Sequence, residues 1–320
     1  MLRSQSWKTN LLFLCCLLSE IFGSLLIAKL SNGMTLYPAL VMSQLLIHVP
    51  IIIYLVVTRT NPFKLISFKL FNPLAIITIV LMTYCLLPVV SLVNVISLLF
   101  VKSSTASLNI ELTTGAFGLN FLFVAVMPAV SEELAFRGVF YHSMKDKGIV
   151  LAVFVSALMF GMMHLNFNQF SYTFVIGIAM ALAVYATGSI FASMLVHLVL
   201  NGNSVILTKV LAGLSKDVTV DAETMEAVEA GISGLDPRAL LGAIILLLIV
   251  SAILIVPAIG MYLSTLELCG RREAIKELRA DCALRKRQRK EDPTAKRRVF
   301  DIFLILDIAF AMGYMIYRLF

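Results

Sequence analysis

Three groups of polar residues interrupt long apolar stretches of this 320-residue sequence. In chain order, the groups are Glu132, Glu133 and Arg137, then Phe160 and His164, then His197 and Asn201. Carboxylates and imidazoles transfer protons near neutral pH, and an amide can donate a hydrogen bond to a developing negative charge. Because ionisable side chains are costly inside a bilayer, their presence in apolar helices indicates a functional site.

Spacing separates the roles of the two adjacent glutamates. Glu133 and Arg137 are four residues apart, so they share one helical face, and an acid that precedes its base is the more favourable order. Glu132 is rotated by about 100° from Glu133 around the same helix. We therefore predict a structural ion pair between Glu133 and Arg137, and a reactive carboxylate at Glu132.

The three groups also project to a similar depth. Glu132 and His164 are each 16 positions from Gly148, where we expect one turn between helices. His197 is nine positions and Asn201 is 13 positions from a second expected turn at Gly188. Since a helix rises by about 1.5 Å per residue, the groups fall in one layer. We interpret that layer as a single site, which we expect to open to the cytoplasm.

The elements that carry these residues are membrane helices. Hydrophobic residues make up 60% of the chain and charged residues 14%, with a mean hydropathy of +0.94. Soluble domains contain roughly 25% charged residues, so the composition excludes an ordinary soluble fold. The apolar runs are continuous rather than alternating, which disfavours a β-barrel. They fall at about 10–30, 36–57, 74–101, 117–142, 149–165, 171–187, 189–211, 239–263 and 300–318.

The sequence therefore predicts an all-α fold, a polytopic membrane helix bundle of eight or nine transmembrane helices. We divide it into N-terminal transmembrane helices at 1–116, a catalytic core at 117–211 and a C-terminal part at 212–320. The last part would hold an acidic loop, a transmembrane helix, a basic cytoplasmic segment and a final transmembrane helix.

The distribution of charge predicts the orientation of these helices. Segment 212–237 carries six acidic residues and one lysine, whereas segment 267–298 carries twelve basic and six acidic residues. The positive-inside rule then places the N-terminus and the basic segment in the cytoplasm. We predict a multi-pass integral membrane protein, of a bacterial cell membrane. Lipid headgroups suffice to explain the basic segment, so membrane lipids and no nucleic acid are the expected partners.

The order of the polar groups resembles that of a known family. EExxxR, FxxxH and HxxxN on successive membrane helices form the signature of the CAAX protease and bacteriocin-processing family, also called Abi or CPBP. The sequence keeps every motif position, and the similarity covers about 117–207. The resemblance implies an intramembrane endopeptidase of the CAAX prenyl protease kind. Its substrate would be a peptide, either a membrane-associated or lipidated protein or a leader peptide.

The chemistry of the side chains suggests a role for each. We expect Glu132 to act as general base, His164 to position the attacking water, and His197 and Asn201 to stabilise the oxyanion. Glu133, Arg137 and Phe160 would support them. A zinc hypothesis stays open, because Glu132, His164 and His197 would form a two-histidine, one-carboxylate ligand set. The absence of an HExxH helix favours a mechanism without a metal.

Other functions are also compatible with the sequence. A non-catalytic membrane scaffold or bacteriocin-immunity protein could keep the same fold. A transporter is disfavoured, since the polar groups are not repeated in a second half. We attribute the Gly231–Gly234 match to the GxSG motif of rhomboid proteases to chance. We expect His48 and His142 to be interfacial or packing residues, and Glu20, Asp301 and Asp307 to pair with one another or to face water.

Overall fold

The computed structural model describes residues 6–30, 34–101, 112–113, 115–214, 236–291 and 301–319, and no strand occurs within those ranges. The first four long helices are α1 (Ser6–Leu30), α2 (Leu36–Val57), α3 (Leu74–Leu98) and α4 (Phe117–Lys147). They are followed by α5 (Ile149–Met163), α6 (Phe167–Thr187), α7 (Ile190–Leu214), α8 (Pro237–Leu268), α9 (Ala274–Glu291) and α10 (Ile302–Tyr317). A one-turn helix, Pro62–Leu65, lies between α2 and α3. The predicted all-α bundle is confirmed.

Among these described helices, seven are long and apolar enough to cross a membrane, namely α1, α2, α3, α4, α6, α7 and α8. The apolar helices α5 and α10 have 15 and 16 residues. They extend for about 22–24 Å, less than the roughly 30 Å thickness of a hydrocarbon core. The protein is therefore a polytopic membrane protein, and full crossing by α5 and α10 stays a prediction.

Glycines form both of the turns that the sequence predicts. Gly148 ends α4 with a φ of 125°, and Gly188 ends α6 with a φ of 69°. Side chains disfavour both backbone conformations, so glycine is the natural residue at each. The side chain of Arg285 lies so close to Gly148 that an added Cβ would be 2.8 Å from its Nε. These turns set α4 against α5 and α6 against α7.

One end of the bundle contains the basic helix α9 and the turns at Gly148 and Gly188, and we call it the basic end. Asn10 of α1 donates to Asp301 before α10 at 3.0 Å, and Tyr185 of α6 donates to the carbonyl of Ala274 in α9 at 2.8 Å. The N-terminal helix and the basic segment thus share one end, as the charge pattern predicts. The cytoplasmic location of that end stays a prediction.

Several sequence predictions concern acidic residues elsewhere. Asp301 caps α10 by accepting hydrogen bonds from the amides of Phe303 and Leu304. The carboxylate of Asp307 is buried, and neither of its oxygens has a hydrogen-bond partner within the described part of the chain. Asp301 and Asp307 therefore do not form the pair that we considered. Most of the acidic segment and the Gly231–Gly234 motif lie outside the described residues.

Helix α4 is irregular where it carries the first polar group. Two π-helical stretches, Phe121–Val126 and Leu134–Tyr141, lie on either side of the α-helical turns Met127–Glu133. Such widened turns interrupt the regular backbone hydrogen bonds and are frequent at functional sites. They place Glu132 and Glu133 on a short α-helical segment in the middle of the bundle.

Candidate functional site

The two adjacent glutamates occupy different environments. The Oε1 atom of Glu133 accepts a hydrogen bond from Arg137 Nη1 at 2.9 Å and lies 3.0 Å from His197 Nδ1. The side chains of Glu133 and Arg137 are both 0% exposed. The Glu132 side chain remains 15% exposed. The ion pair that the spacing predicts is therefore present, and Glu132 is the more accessible carboxylate.

Arg137 links α4 to α5 and α6 as well as to Glu133. Its Nη2 donates to the carbonyl of Gly177 at 3.0 Å, and its guanidinium lies 4.5 Å from the ring centre of Phe160. A side chain at Gly177 would interfere, because its Cβ would be 2.9 Å from the Cβ of Ala157. A buried charge needs such partners, since an unpaired one is strongly destabilising. The motif arginine is thus a structural centre of the site.

Glu132 is held by a residue from α2. Gln44 Nε2 donates to Glu132 Oε1 at 2.9 Å, and Ser131 Oγ donates to Gln44 Oε1 at 2.6 Å. The second oxygen of Glu132, Oε2, lies 4.0 Å from His197 Nε2. Gln44 therefore fixes one carboxylate oxygen and leaves the other facing the imidazole of His197.

His48 joins α2 to α4 next to this contact. Its Nδ1 is 2.7 Å from the carbonyl oxygen of Gln44, and its Nε2 is 2.9 Å from the carbonyl oxygen of Ser131. From the sequence we assigned no role to Gln44 or Ser131, and we expected His48 to be an interfacial or packing residue. Gln44 is the only amide side chain in α2, and His48 follows it by four residues. Two polar residues four positions apart on one face of an apolar helix are the sequence feature that could have indicated this contact.

The hydrogen bonds of the two motif histidines define their tautomers. His164 Nδ1 lies 2.9 Å from the carbonyl oxygen of Phe160, and His197 Nδ1 faces the carboxylate of Glu133. Both partners are acceptors, so each Nδ1 carries the proton, and each Nε2 has a lone pair when the ring is neutral. The Phe160 ring packs edge-on against both imidazoles, with centroids 5.0 and 5.9 Å away.

Asn201 binds the irregular part of α4. Its Nδ2 donates to the carbonyl oxygen of Val124 at 2.9 Å. In a regular helix that carbonyl would accept from the residue four positions later, which is Pro128, and proline has no N–H. Asn201 thus supplies a hydrogen bond that the regular α-helical pattern cannot give to this carbonyl, and buried backbone groups in membranes require such partners. Its second amide N–H is not used by this contact.

The zinc hypothesis depends on the relative positions of three side chains, Glu132, His164 and His197. Among the described residues, no group of three His, Cys, Asp or Glu side chains is close enough to hold a metal ion. The described side chains therefore do not stand at metal-ligand distances from one common point, and zinc binding stays a prediction. The mechanism that we propose for peptide hydrolysis uses only side chains of the protein and water.

Comparison with known proteins agrees with the motif analysis. Residues 114–202 match the family model described as type II CAAX prenyl endopeptidase Rce1-like, and this range contains all seven motif residues. No curated protein and no solved structure matches the chain. The predicted resemblance to the CAAX protease family is confirmed over this segment, within an integral membrane protein.

Proposed function

We propose that this protein is an intramembrane endopeptidase that hydrolyses a peptide bond with a water molecule activated by Glu132. One observation carries the proposal. Of two adjacent glutamates, Glu133 is fully buried and bonded to Arg137, whereas Glu132 keeps one oxygen that faces His197 Nε2. A structural ion pair with Arg137 would explain the burial of Glu133, but it would not explain the accessible oxygen of Glu132. The similarity to CAAX endopeptidases supports the same activity.

The gap beside Glu132 suits a water molecule. The distance of 4.0 Å between Glu132 Oε2 and His197 Nε2 is too long for a direct hydrogen bond, which is usually shorter than about 3.2 Å. We assign to this gap a water whose proton passes to Glu132 as its oxygen attacks the carbonyl carbon. The lone pair on His164 Nε2 orients that water by accepting its other hydrogen. Removing Glu132 would therefore remove the proton acceptor.

The tetrahedral intermediate requires hydrogen-bond donors for its negative oxygen. Asn201 has a second N–H that its contact with Val124 does not use. His197 can donate from Nε2 only as an imidazolium, and the Glu133 carboxylate at its Nδ1 fixes the orientation of the ring. When the intermediate collapses, the C–N bond breaks and the amine nitrogen takes the proton from Glu132. The new carboxylic acid then gives up its remaining proton to the amine, so the products are a peptide carboxylate and a peptide ammonium.

An apolar cavity beside the site supports a lipidated or strongly apolar substrate. It has a volume of about 270 Å³ and lies between α3, α6, α7 and α8. Its lining includes Val196 and Leu200, which are the immediate chain neighbours of His197 and Asn201. An apolar lining of this kind favours hydrocarbon over water. We propose that it receives an alkyl or prenyl chain next to the scissile bond.

Cleavage of defined peptides tests this proposal. Purified protein in detergent is incubated with internally quenched peptides, each prepared with and without a prenyl group, in the presence and absence of a strong chelator. We expect cleavage by the wild type that is faster for the prenylated member, unaffected by the chelator and lost in Glu132→Gln. Glu277→Gln, on the exposed side of α9, is the matched control. Absence of cleavage would favour the scaffold or immunity alternative.

A further inference from the structure

The site lies in the half of the bundle away from the basic end. Gln44, which holds Glu132, is eight residues from the start of α2 and 13 residues from its end at the basic end. These separations correspond to about 12 Å and 20 Å along the helix. His164 directly follows α5 and lies about 24 Å from the turn at Gly148. If the basic end is cytoplasmic, as the charge pattern predicts, the site lies nearer to the opposite surface than we expected from the sequence.

A cavity with a volume of about 330 Å³ lies on this same side, between α1 and α2. Its residues come from both sides of the connection between these helices. Its apolar lining comprises Ile27, Ala28, Met34, Ala39, Met42 and Leu46. Glu20, Ser24 and Ser43 give it a polar floor. The cavity therefore lies toward the end of the bundle that is opposite to the basic end.

The floor of the cavity contains a carboxylate oxygen without a protein partner. Ser43 Oγ donates to Glu20 Oε1 at 2.9 Å, whereas Glu20 Oε2 is buried and has no hydrogen-bond partner in the described part of the chain. A buried polar atom of this kind is strongly destabilising unless water reaches it. Since one water occupies about 30 Å³ of liquid, the cavity has room for several. The sequence analysis left Glu20 without an assigned partner, and Ser43 is that partner.

Polar groups continue from this floor to the proposed base. Gln44 is the next residue after Ser43, and its amide donates to Glu132 Oε1 at 2.9 Å. Glu20 is also close enough to Glu132 for their carboxylates to interact electrostatically. The residue that holds Glu20 and the residue that holds Glu132 are thus consecutive in α2, which places the floor of the cavity next to the contact that fixes the proposed base.

We infer that the cavity between α1 and α2 is the route by which water reaches Glu132, and that the site opens to the end opposite to the basic end. This inference rests on the proposed function for its chemical meaning. With the basic end in the cytoplasm, the substrate would be a peptide segment presented at the extracytoplasmic surface. A lipidated or strongly apolar peptide segment on that side fits both this geometry and the apolar cavity beside the site.

Thiol labelling tests the access route without any need for proteolytic activity. Ser43→Cys is expressed in cells and in sealed inverted vesicles, treated with a membrane-impermeant maleimide, and analysed by peptide mapping. Native Cys282 is exposed on α9 and reports the basic end, while native Cys16 is buried near the cavity and is the negative control. We expect the introduced thiol and Cys282 to be labelled from opposite faces. Labelling from the same face, or from neither, would overturn the inference.

A second experiment follows cleavage in sealed vesicles. An impermeant peptide that the detergent-solubilised protein cuts is added outside vesicles of either orientation. We expect cleavage only where Cys282 is protected from the maleimide, since the basic end then faces inward. Cleavage confined to the other orientation would contradict the inference. Failure of cleavage in detergent would reject the proposed function instead, and the labelling result would still decide the access route.

Discussion

Breaking the Glu133–Arg137 pair gives the most quantitative prediction about the site. Glu133→Leu would leave the guanidinium of Arg137, which is 0% exposed, with only the Gly177 carbonyl and the Phe160 ring as partners. Removing one member of a buried ion pair is destabilising by about 3–5 kcal/mol. At roughly 2–4 °C per kcal/mol for large domains, we expect a fall of about 10 °C in melting temperature.

The double variant Glu133→Leu/Arg137→Met separates this effect from a general loss of packing. Replacing a whole buried pair by apolar residues of similar size is often neutral or stabilising, so the second substitution should restore most of the melting temperature. The double variant should nevertheless remain inactive, because His197 Nδ1 has lost the carboxylate that orients it.

Thermal unfolding of the wild type, Glu133→Leu, Arg137→Met and the double variant in one detergent measures this cycle. The assigned structural role of the pair would be refuted if Glu133→Leu melted like the wild type. It would also be refuted if the double variant were no more stable than Glu133→Leu. Recovery of cleavage in the double variant would refute the positioning role of Glu133 toward His197.

Three further substitutions probe the surroundings of the pair and the base. Gly177→Ala should destabilise the protein by about 1–3 kcal/mol through overpacking against α5, measured by thermal melting. Gln44→Ala should reduce the cleavage rate roughly tenfold and lower the melting temperature by only about 3–6 °C, because the lost hydrogen bond to the Glu132 carboxylate contributes about 1.5 kcal/mol. Asn201→Ala should lower the rate constant for cleavage by about 100-fold, as expected for loss of an oxyanion donor; a loss below about threefold would reject that role.

Local sequence rules predicted the parts of the site that lie within one helix. The Glu133–Arg137 pair follows from a spacing of four residues, and the turns at Gly148 and Gly188 follow from glycine between apolar runs. The packing of Phe160 against His164 has the same origin. In each of these cases helical periodicity alone determines which side chains meet.

Contacts between distant helices could not be predicted in this way. Gln44 meets Glu132 across 88 residues of sequence, and nothing in the local pattern of α2 identifies its partner. Asn201 could be placed on a helix face, but its bond to Val124 depends on the π-helical stretch before Pro128. The proline signals a broken hydrogen bond, whereas the partner that repairs it depends on how α7 packs against α4.

Cleavage by Glu132→Gln tests the central claim most directly. The substitution keeps the size of the side chain and an acceptor for Gln44, so the protein should fold and melt close to the wild type. Single-turnover cleavage of the best quenched peptide is measured for the wild type, Glu132→Gln and the exposed control Glu277→Gln. The account predicts wild-type rates for the control and no detectable cleavage by Glu132→Gln. Cleavage by folded Glu132→Gln at a rate close to that of the wild type would contradict it.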